Sequence, residues 1–124
     1  MMKWKKKMKR ILIAEDKEFN QRLYRRLYSP LAEVEIVSSG QEALDRIEQS
    51  VDGLDLIILD GLMPPGPTGD VIARRCKELY PALRVILNTS NPDDYKHLGE
   101  WGIPVFDKTP YTTLLEYVRR ILEE

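Results

Sequence analysis

Leu54-Asp55-Leu56-Ile57-Ile58-Leu59-Asp60 is the most hydrophobic stretch of the chain, and it ends on an acid. A run that is apolar at nearly every position suits a strand covered on both faces, as in parallel sheets with helices above and below. The same kind of short apolar run recurs on either side of it. Ile11-Leu12-Ile13-Ala14 precedes it, as do Val34, Ile36 and Val37; Arg84 to Asn88, with Thr89 at the tip, and Ile103 to Phe106 follow. Amphipathic stretches fill the intervals. Residues 17–29 read as a helix with Phe19, Leu23, Leu27 and Tyr24 inward and Pro30 as its stop. Ser39-Gly40 leads into a second helix, whose Ala43, Leu44 and Ile47 share a face. A third, Thr68 to Tyr80, buries Val71, Ile72, Cys76 and Leu79.

Asn91-Pro92-Asp93-Asp94 reads as a helix start, with a cap, a proline at the first position and acids at the positive end of the dipole. Gly99 and Gly102 keep that helix short. Residues 111–122 form the last helix, with Leu114, Leu115, Val118, Ile121 and Leu122 inward. Between Gly61 and Gly69, Pro64, Pro65, Gly66 and Pro67 exclude regular structure. Five strands alternating with five helices predict an α/β fold with a doubly wound parallel sheet.

The 124 residues amount to one ordinary domain. No apolar run approaches the roughly 20 residues that span a bilayer, and the N-terminus lacks the apolar stretch of a secretory signal. The single cysteine, Cys76, excludes an internal disulfide and fits a reducing cytoplasm. One histidine, His97, beside one cysteine argues against zinc. The formal charge of −1 hides an asymmetry: Lys3, Lys5, Lys6, Lys7, Lys9 and Arg10 crowd the first ten residues without an acid. Residues 1–9 are read as a basic, solvated lead-in to a domain over 10–124. An arm for nucleic acid or an acidic partner is the sharper alternative, but Trp4 alone is a poor stacking platform.

Ligands of such folds bind beyond the carboxyl ends of the strands. Four strand ends carry polar groups that could converge there: Glu15 and Asp16 after the first, Asp60 after the third, Thr89 at the fourth and Lys108 after the fifth. Each alone has a plain explanation as a cap or turn residue; their joint occurrence is the signal. Crowded carboxylates repel unless a cation intervenes. Magnesium suits them, because it takes oxygen ligands and is commonly held by one or two carboxylates plus a phosphate. A carboxylate can also act as a nucleophile and form an aspartyl-phosphate. Phosphoryl transfer then needs in-line positioning and neutralisation of the equatorial oxygens, which a metal, the Lys108 ammonium and the Thr89 hydroxyl would supply. The Gly61-Leu62 backbone could offer a carbonyl to the metal and amide donors.

The motifs Ile11-Leu12-Ile13-Ala14-Glu15-Asp16, Leu56-Ile57-Ile58-Leu59-Asp60-Gly61-Leu62-Met63-Pro64, Val85-Ile86-Leu87-Asn88-Thr89-Ser90 and Phe106-Asp107-Lys108-Thr109-Pro110 together resemble the receiver domain of bacterial two-component response regulators. The likeness is to stand-alone, CheY-like ones and covers about residues 10–123. It implies a flavodoxin-like sheet in the order 2-1-3-4-5. By position it implies Asp60 as phosphoacceptor, Asp16 as direct magnesium ligand, Glu15 as a partner acting through water, and the Leu62 carbonyl as backbone ligand. Thr89 is implied as the hydroxyl on the phosphoryl group and Lys108 as the phosphate-pairing lysine.

The implied phosphodonor is a phosphohistidine on a sensor histidine kinase or phosphotransfer protein, docking near Phe19, Asn20 and Leu23. A cytoplasmic signalling switch follows, a phosphoacceptor more than a turnover enzyme. It would act on a downstream protein as a monomer or weak phosphorylation-dependent dimer, without nucleic acid or membrane.

The chain also departs from the family. The loop after Asp60 is one residue longer, and Thr109 separates Lys108 from Pro110, so the cis Lys-Pro bond typical of the family cannot form; a cis Thr109-Pro110 bond is left open. Only 18 residues separate Thr89 from Lys108, which shortens the fourth helix and puts Val105 at the aromatic switch position, beside Phe106. The shortened fourth helix falls on the family's usual output face, which the fourth helix, fifth strand and fifth helix form, whereas the longer loop after Asp60 alters the loop more than the chemistry.

Three rivals stand beside this reading. One is a receiver-like interaction domain that works without phosphorylation. Another is a phosphatase of the haloacid dehalogenase type, which would need a second aspartate where Leu62 stands. The third is a flavodoxin-like electron carrier, against which the first strand lacks a phosphate-cradling glycine loop. At the two variable positions that modulate hydrolysis in the family stand Leu62 and Asn91, and an apolar Leu62 is expected to slow it.

Overall fold

The computed structural model describes residues 8–124. Most of the basic lead-in, residues 1–7, lies outside the described residues. The chain runs β1 (Arg10–Ala14), α1 (Glu18–Tyr28), β2 (Glu33–Val37), α2 (Gly40–Gln49), β3 (Leu56–Leu59), α3 (Gly69–Leu79), β4 (Arg84–Thr89), a 3-10 helix (Pro92–Trp101), β5 (Val105–Asp107) and α4 (Tyr111–Leu122). The strands form one parallel sheet in the order β2-β1-β3-β4-β5, as expected.

Alternation along the strands makes two cores, because successive side chains point to opposite faces. Leu12, Ala14, Ile57, Leu59, Val85 and Leu87 face one way and pack with Ala43, Ile47, Ile72, Ala73, Cys76, Leu98 and Ile103. Ile11, Ile13, Leu56, Ile58 and Ile86 face the other way and pack with Tyr24 and Tyr28 of α1 and Leu114, Val118 and Ile121 of α4. Every residue of β3 is buried, which accounts for its unbroken apolar run. Each side chain so buried contributes roughly 1.5–3 kcal/mol.

Three helix faces differ from the sequence expectation. On α1 the buried pair is Tyr24 and Tyr28, one turn apart, while Leu23 and Leu27 flank them and Phe19 is 70% exposed. On α3, Val71 and Leu79 are exposed, and the inner face is Gly69, Ile72, Ala73 and Cys76. That face is built from small residues because the helix lies close to β3: a methyl group at Gly69 would sit 1.9 Å from the Asp60 carbonyl oxygen. The fourth helix is a 3-10 helix rather than an α-helix, with a kink at Tyr95 (φ −121°, ψ 17°), and the Asn91 side chain does not cap it. Only Leu98 of its ten residues is buried. Gly102, at φ +70°, ends it in the left-handed conformation, and Ile103 N–H closes on Leu98 O at 3.2 Å. This C-terminal cap turns the chain into β5.

The proline-rich loop after β3 is held against α2. Gly40 N–H donates to Met63 O (2.7 Å) and Gln41 N–H to Pro65 O (3.0 Å), so loop carbonyls satisfy amides that the first turn of a helix leaves free. Ser39 Oγ accepts from Glu42 N–H (3.1 Å) as the cap of the same helix. Met63 is buried, and the Pro64-Pro65 and Thr109-Pro110 bonds are cis.

Candidate functional site

Hydrogen bonds across the sheet bring the polar strand ends together. Asp60 N–H donates to Ala14 O at 3.1 Å, which ties the residue after β3 to the end of β1. Glu15 N–H donates to Val37 O (3.0 Å) and Lys108 N–H to Thr89 O (3.0 Å), extending the ladder by one residue at β1 and β5. All five predicted side-chain positions lie at this one edge because parallel strands end together.

The centre of the site is the Lys108 ammonium, 2.8 Å from Glu15 Oε1 and 2.9 Å from Asp60 Oδ2. Glu15 is almost wholly buried: Oε1 also accepts from Asn20 Nδ2 (3.3 Å), and Oε2 from the Lys17 N–H (3.1 Å). Burial raises its carboxyl pKa above the ordinary 4.5, against the opposing pull of Lys108. Burial alone would lower the Lys108 pKa, but the bonds to Glu15 and Asp60 outweigh it and the net shift is upward from 10.5. Asp60 Oδ1 accepts from the Gly61 N–H at 2.7 Å.

One carboxylate oxygen from each of Glu15, Asp16 and Asp60 lies within 4.8 Å of the others. Asp16 Oδ1 is buried and has no hydrogen-bond partner among the described residues. An unpaired buried carboxylate oxygen, in a cluster of three acids facing one ammonium, fits a hard divalent cation bound through oxygen.

Thr89 is buried, and its Oγ1 accepts from the Asn91 N–H (3.1 Å) at the start of the 3-10 helix. No hydrogen bond joins it to Asp60 among the described residues. The Leu62 side chain is 65% exposed, so any part it has in binding falls to its backbone.

Several contributors escaped the sequence reading. Asn20 steadies Glu15. Asn88, buried on β4, donates to Tyr24 Oη at 3.0 Å behind the site, while its own Oδ1 has no partner. Tyr95 covers Gly61: a methyl group there would come within 2.7 Å of the phenol oxygen and 2.8 Å of the ring. A glycine directly after an acid at a strand end was the available signal of close approach.

No family model matches the sequence. Solved structures do. The BeF3-activated DrrB receiver domain is 26% identical over 95% of this chain and 100% of its own, with a TM-score of 0.79. The response regulator DrrB of Thermotoga maritima, an OmpR/PhoB homologue, is 25% identical over 94% of this chain at a TM-score of 0.78, and this chain spans about half (54%) of its length. A CheY-like receiver domain protein from Methanospirillum hungatei, 23% identical over 94% of this chain and 95% of its own, superposes at a TM-score of 0.81. The strand order, the polar strand ends and these neighbours agree: the chain has the CheY-like receiver-domain fold of response regulators.

Proposed function

We propose that this chain is a signalling switch that accepts a phosphoryl group on Asp60 from a phosphohistidine of a sensor histidine kinase or phosphotransfer protein. The observation that carries this reading is the Lys108 ammonium, held between Asp60 and the buried Glu15 beside an unpaired Asp16 oxygen. An Asp60 carboxylate oxygen attacks phosphorus in line, the P–N bond to the imidazole breaks, and the electron pair leaves with the ring. Glu15 and Asp16, with Asp60 and the Leu62 carbonyl, would hold Mg2+, which when bound neutralises charge on the phosphoryl oxygens. Lys108 pairs with one of those oxygens as it releases Asp60. Thr89 turns its hydroxyl from the Asn91 amide to the phosphoryl group. The chain is its own phosphoacceptor, and water slowly hydrolyses the aspartyl-phosphate, releasing inorganic phosphate and restoring the Asp60 carboxylate.

The kinase docks beside α1, where Phe19 is exposed and Asn20 and Leu23 lie near it; a Leu23→Ala variant with an unchanged transfer rate would count against this. Output passes to a downstream protein, in the cytoplasm, from a monomer or a weak dimer. Among the described residues no helix is long and apolar enough to cross a membrane.

Acetyl phosphate and magnesium, followed by intact-mass and peptide mass spectrometry, test the central claim. The wild type should gain one phosphoryl group on the peptide carrying Asp60, and Asp60→Asn should gain none. A wild type that gains nothing, and shows no spectral response to beryllofluoride, would favour an interaction domain that works without phosphorylation.

A further inference from the structure

Gly61 stands between the acceptor and the loop, and two things happen at it. Its N–H holds Asp60 Oδ1 at 2.7 Å, and its missing side chain leaves a space that the Tyr95 phenol fills. Tyr95 comes from the 3-10 helix, where it occupies the one non-helical position, and it packs against the core cluster on that face. The same helix is tied to the site a second time, through the Asn91 N–H on Thr89 Oγ1. Burial, with the charges of Asp70, Asp94 and Asp60, raises the Tyr95 phenol pKa, so the group over Gly61 is a neutral hydroxyl.

We infer that Tyr95 is a positioning residue of the Asp60 site: it holds the Gly61 peptide in the orientation that fixes the acceptor carboxylate, and it covers that side of the acceptor against water. The inference rests on the proposed phosphoryl transfer only for its second half. Its first half concerns the Gly61 amide and is independent of any phosphodonor. The physical argument is steric. A methyl group at Gly61 would meet Tyr95 Oη, Cε2 and Cζ first, so the phenol lies against the face that the glycine leaves open, while the Gly69 N–H holds the Gly61 carbonyl at 2.9 Å. The acceptor's environment is therefore set partly by a residue of the 3-10 helix, 35 positions later in the chain.

The test uses Tyr95→Ala, Tyr95→Phe, Gly61→Ala and the Gly61→Ala/Tyr95→Ala double variant. Two readouts are taken: hydrogen exchange of the Gly61 amide by NMR in the unphosphorylated protein, and decay of the phosphorylated form by mass spectrometry after the donor is removed. Tyr95→Ala should speed both by roughly five-fold, the worth of about one hydrogen bond. Tyr95→Phe, which keeps the ring, should stay within about two-fold of wild type on both. Gly61→Ala alone collides with the phenol and should disturb both readouts, while in the Tyr95→Ala background the added methyl should change little.

An unchanged Gly61 amide in Tyr95→Ala would overturn the inference, as would a shift in unfolding midpoint with neither readout moved. Faster exchange with unchanged decay would overturn the water-exclusion half. A wild type that takes up no phosphoryl group would sink the proposed function, yet the Gly61 exchange rates would still decide the positioning half. If Gly61→Ala fails to fold, the two Tyr95 variants decide alone.

Discussion

The two sides of Asp60 are built differently. On the strand side, Glu15 and Lys108 sit at the ends of β1 and β5, are largely buried, and meet Asp60 through paired charges at 2.8 and 2.9 Å. On the loop side, Leu62 is mostly exposed and Tyr95 is half-buried on a kinked 3-10 helix that buries a single residue. The strand side is over-determined: its backbone is fixed by the parallel ladder and its side chains by mutual charge. The loop side meets Asp60 without charge pairing: the segment after Asp60 is held by backbone bonds to the Gly61, Met63 and Pro65 carbonyls, and Tyr95 by packing. Groups that do chemistry need the first kind of support, and elements that change state are drawn from the second, since locally weak packing opens at low cost. Asp60, the proposed acceptor, therefore sits on the seam between a rigid half and an adjustable one.

The hardest way to break the comparison is on the rigid side. Lys108→Met removes the only ammonium at the centre of the described site and leaves Glu15 and Asp60 facing each other unpaired. Its phosphorylation rate with acetyl phosphate should fall roughly 100-fold, the usual cost of removing one preorganised charge donor. Unfolding in metal-free buffer at neutral pH should lose about 3 kcal/mol, because a broken buried pair strands a charge. A rate within two-fold of wild type would mean that the strand side does not carry the chemistry.

A milder break lies behind that side, at the Tyr24–Asn88 pair. Burial pushes the Tyr24 phenol from 10.0 up to about 12, so the folded chain keeps its proton where the unfolded chain has lost it. The unfolded state sheds protons first between those two values. Stability should therefore be intact below pH 10 and decline as pH rises through about 12, on the order of 2 kcal/mol from this group. Tyr24→Phe should lose about 1 kcal/mol at neutral pH with its bond to Asn88, and should show a shallower alkaline decline. Denaturant midpoints measured from pH 8 to 11.5 would show both; an alkaline limb identical to wild type would mean that Tyr24 is not held by the rigid half.

The same asymmetry explains what the sequence made legible. The strands and their parallel arrangement follow from apolar runs, and a general rule about where such sheets bind ligands brings Glu15, Asp16, Asp60, Thr89 and Lys108 to one edge; the strand order comes from the resemblance to receiver domains. The loop side was not legible in this way. Whether Phe19 or Tyr28 faces the core depends on the exact rotation of α1, and both choices satisfy a helical period. Val71 and Leu79 look like core until α3 is seen to approach β3 so closely that Gly69, Ala73 and Cys76 fit better. Asn91-Pro92 signals a start, but a ten-residue segment that must turn at Tyr95 and again at Gly102 has no room for an α-helix. Tyr95 over Gly61 is a contact between distant positions, and one glycine gave the only hint.

The smallest effect is expected at Leu62, an exposed residue of the loop side. An apolar side chain two residues from the acceptor should slow hydrolysis of the phosphorylated form, and Leu62→Asn should speed it. With 65% of the side chain in solvent, however, little of it is placed to exclude water from Asp60. The expected change in decay is therefore about two-fold, less than the roughly five-fold expected of Tyr95→Ala, and stability should move by no more than about 0.5 kcal/mol. The order of the two variants matters more than either value. Decay that is equal or slower in Leu62→Asn would remove Leu62 from the site altogether. Decay faster than in Tyr95→Ala would shift control of the water path from the 3-10 helix to the loop, and the adjustable half of the site would then be the segment that follows Asp60 directly.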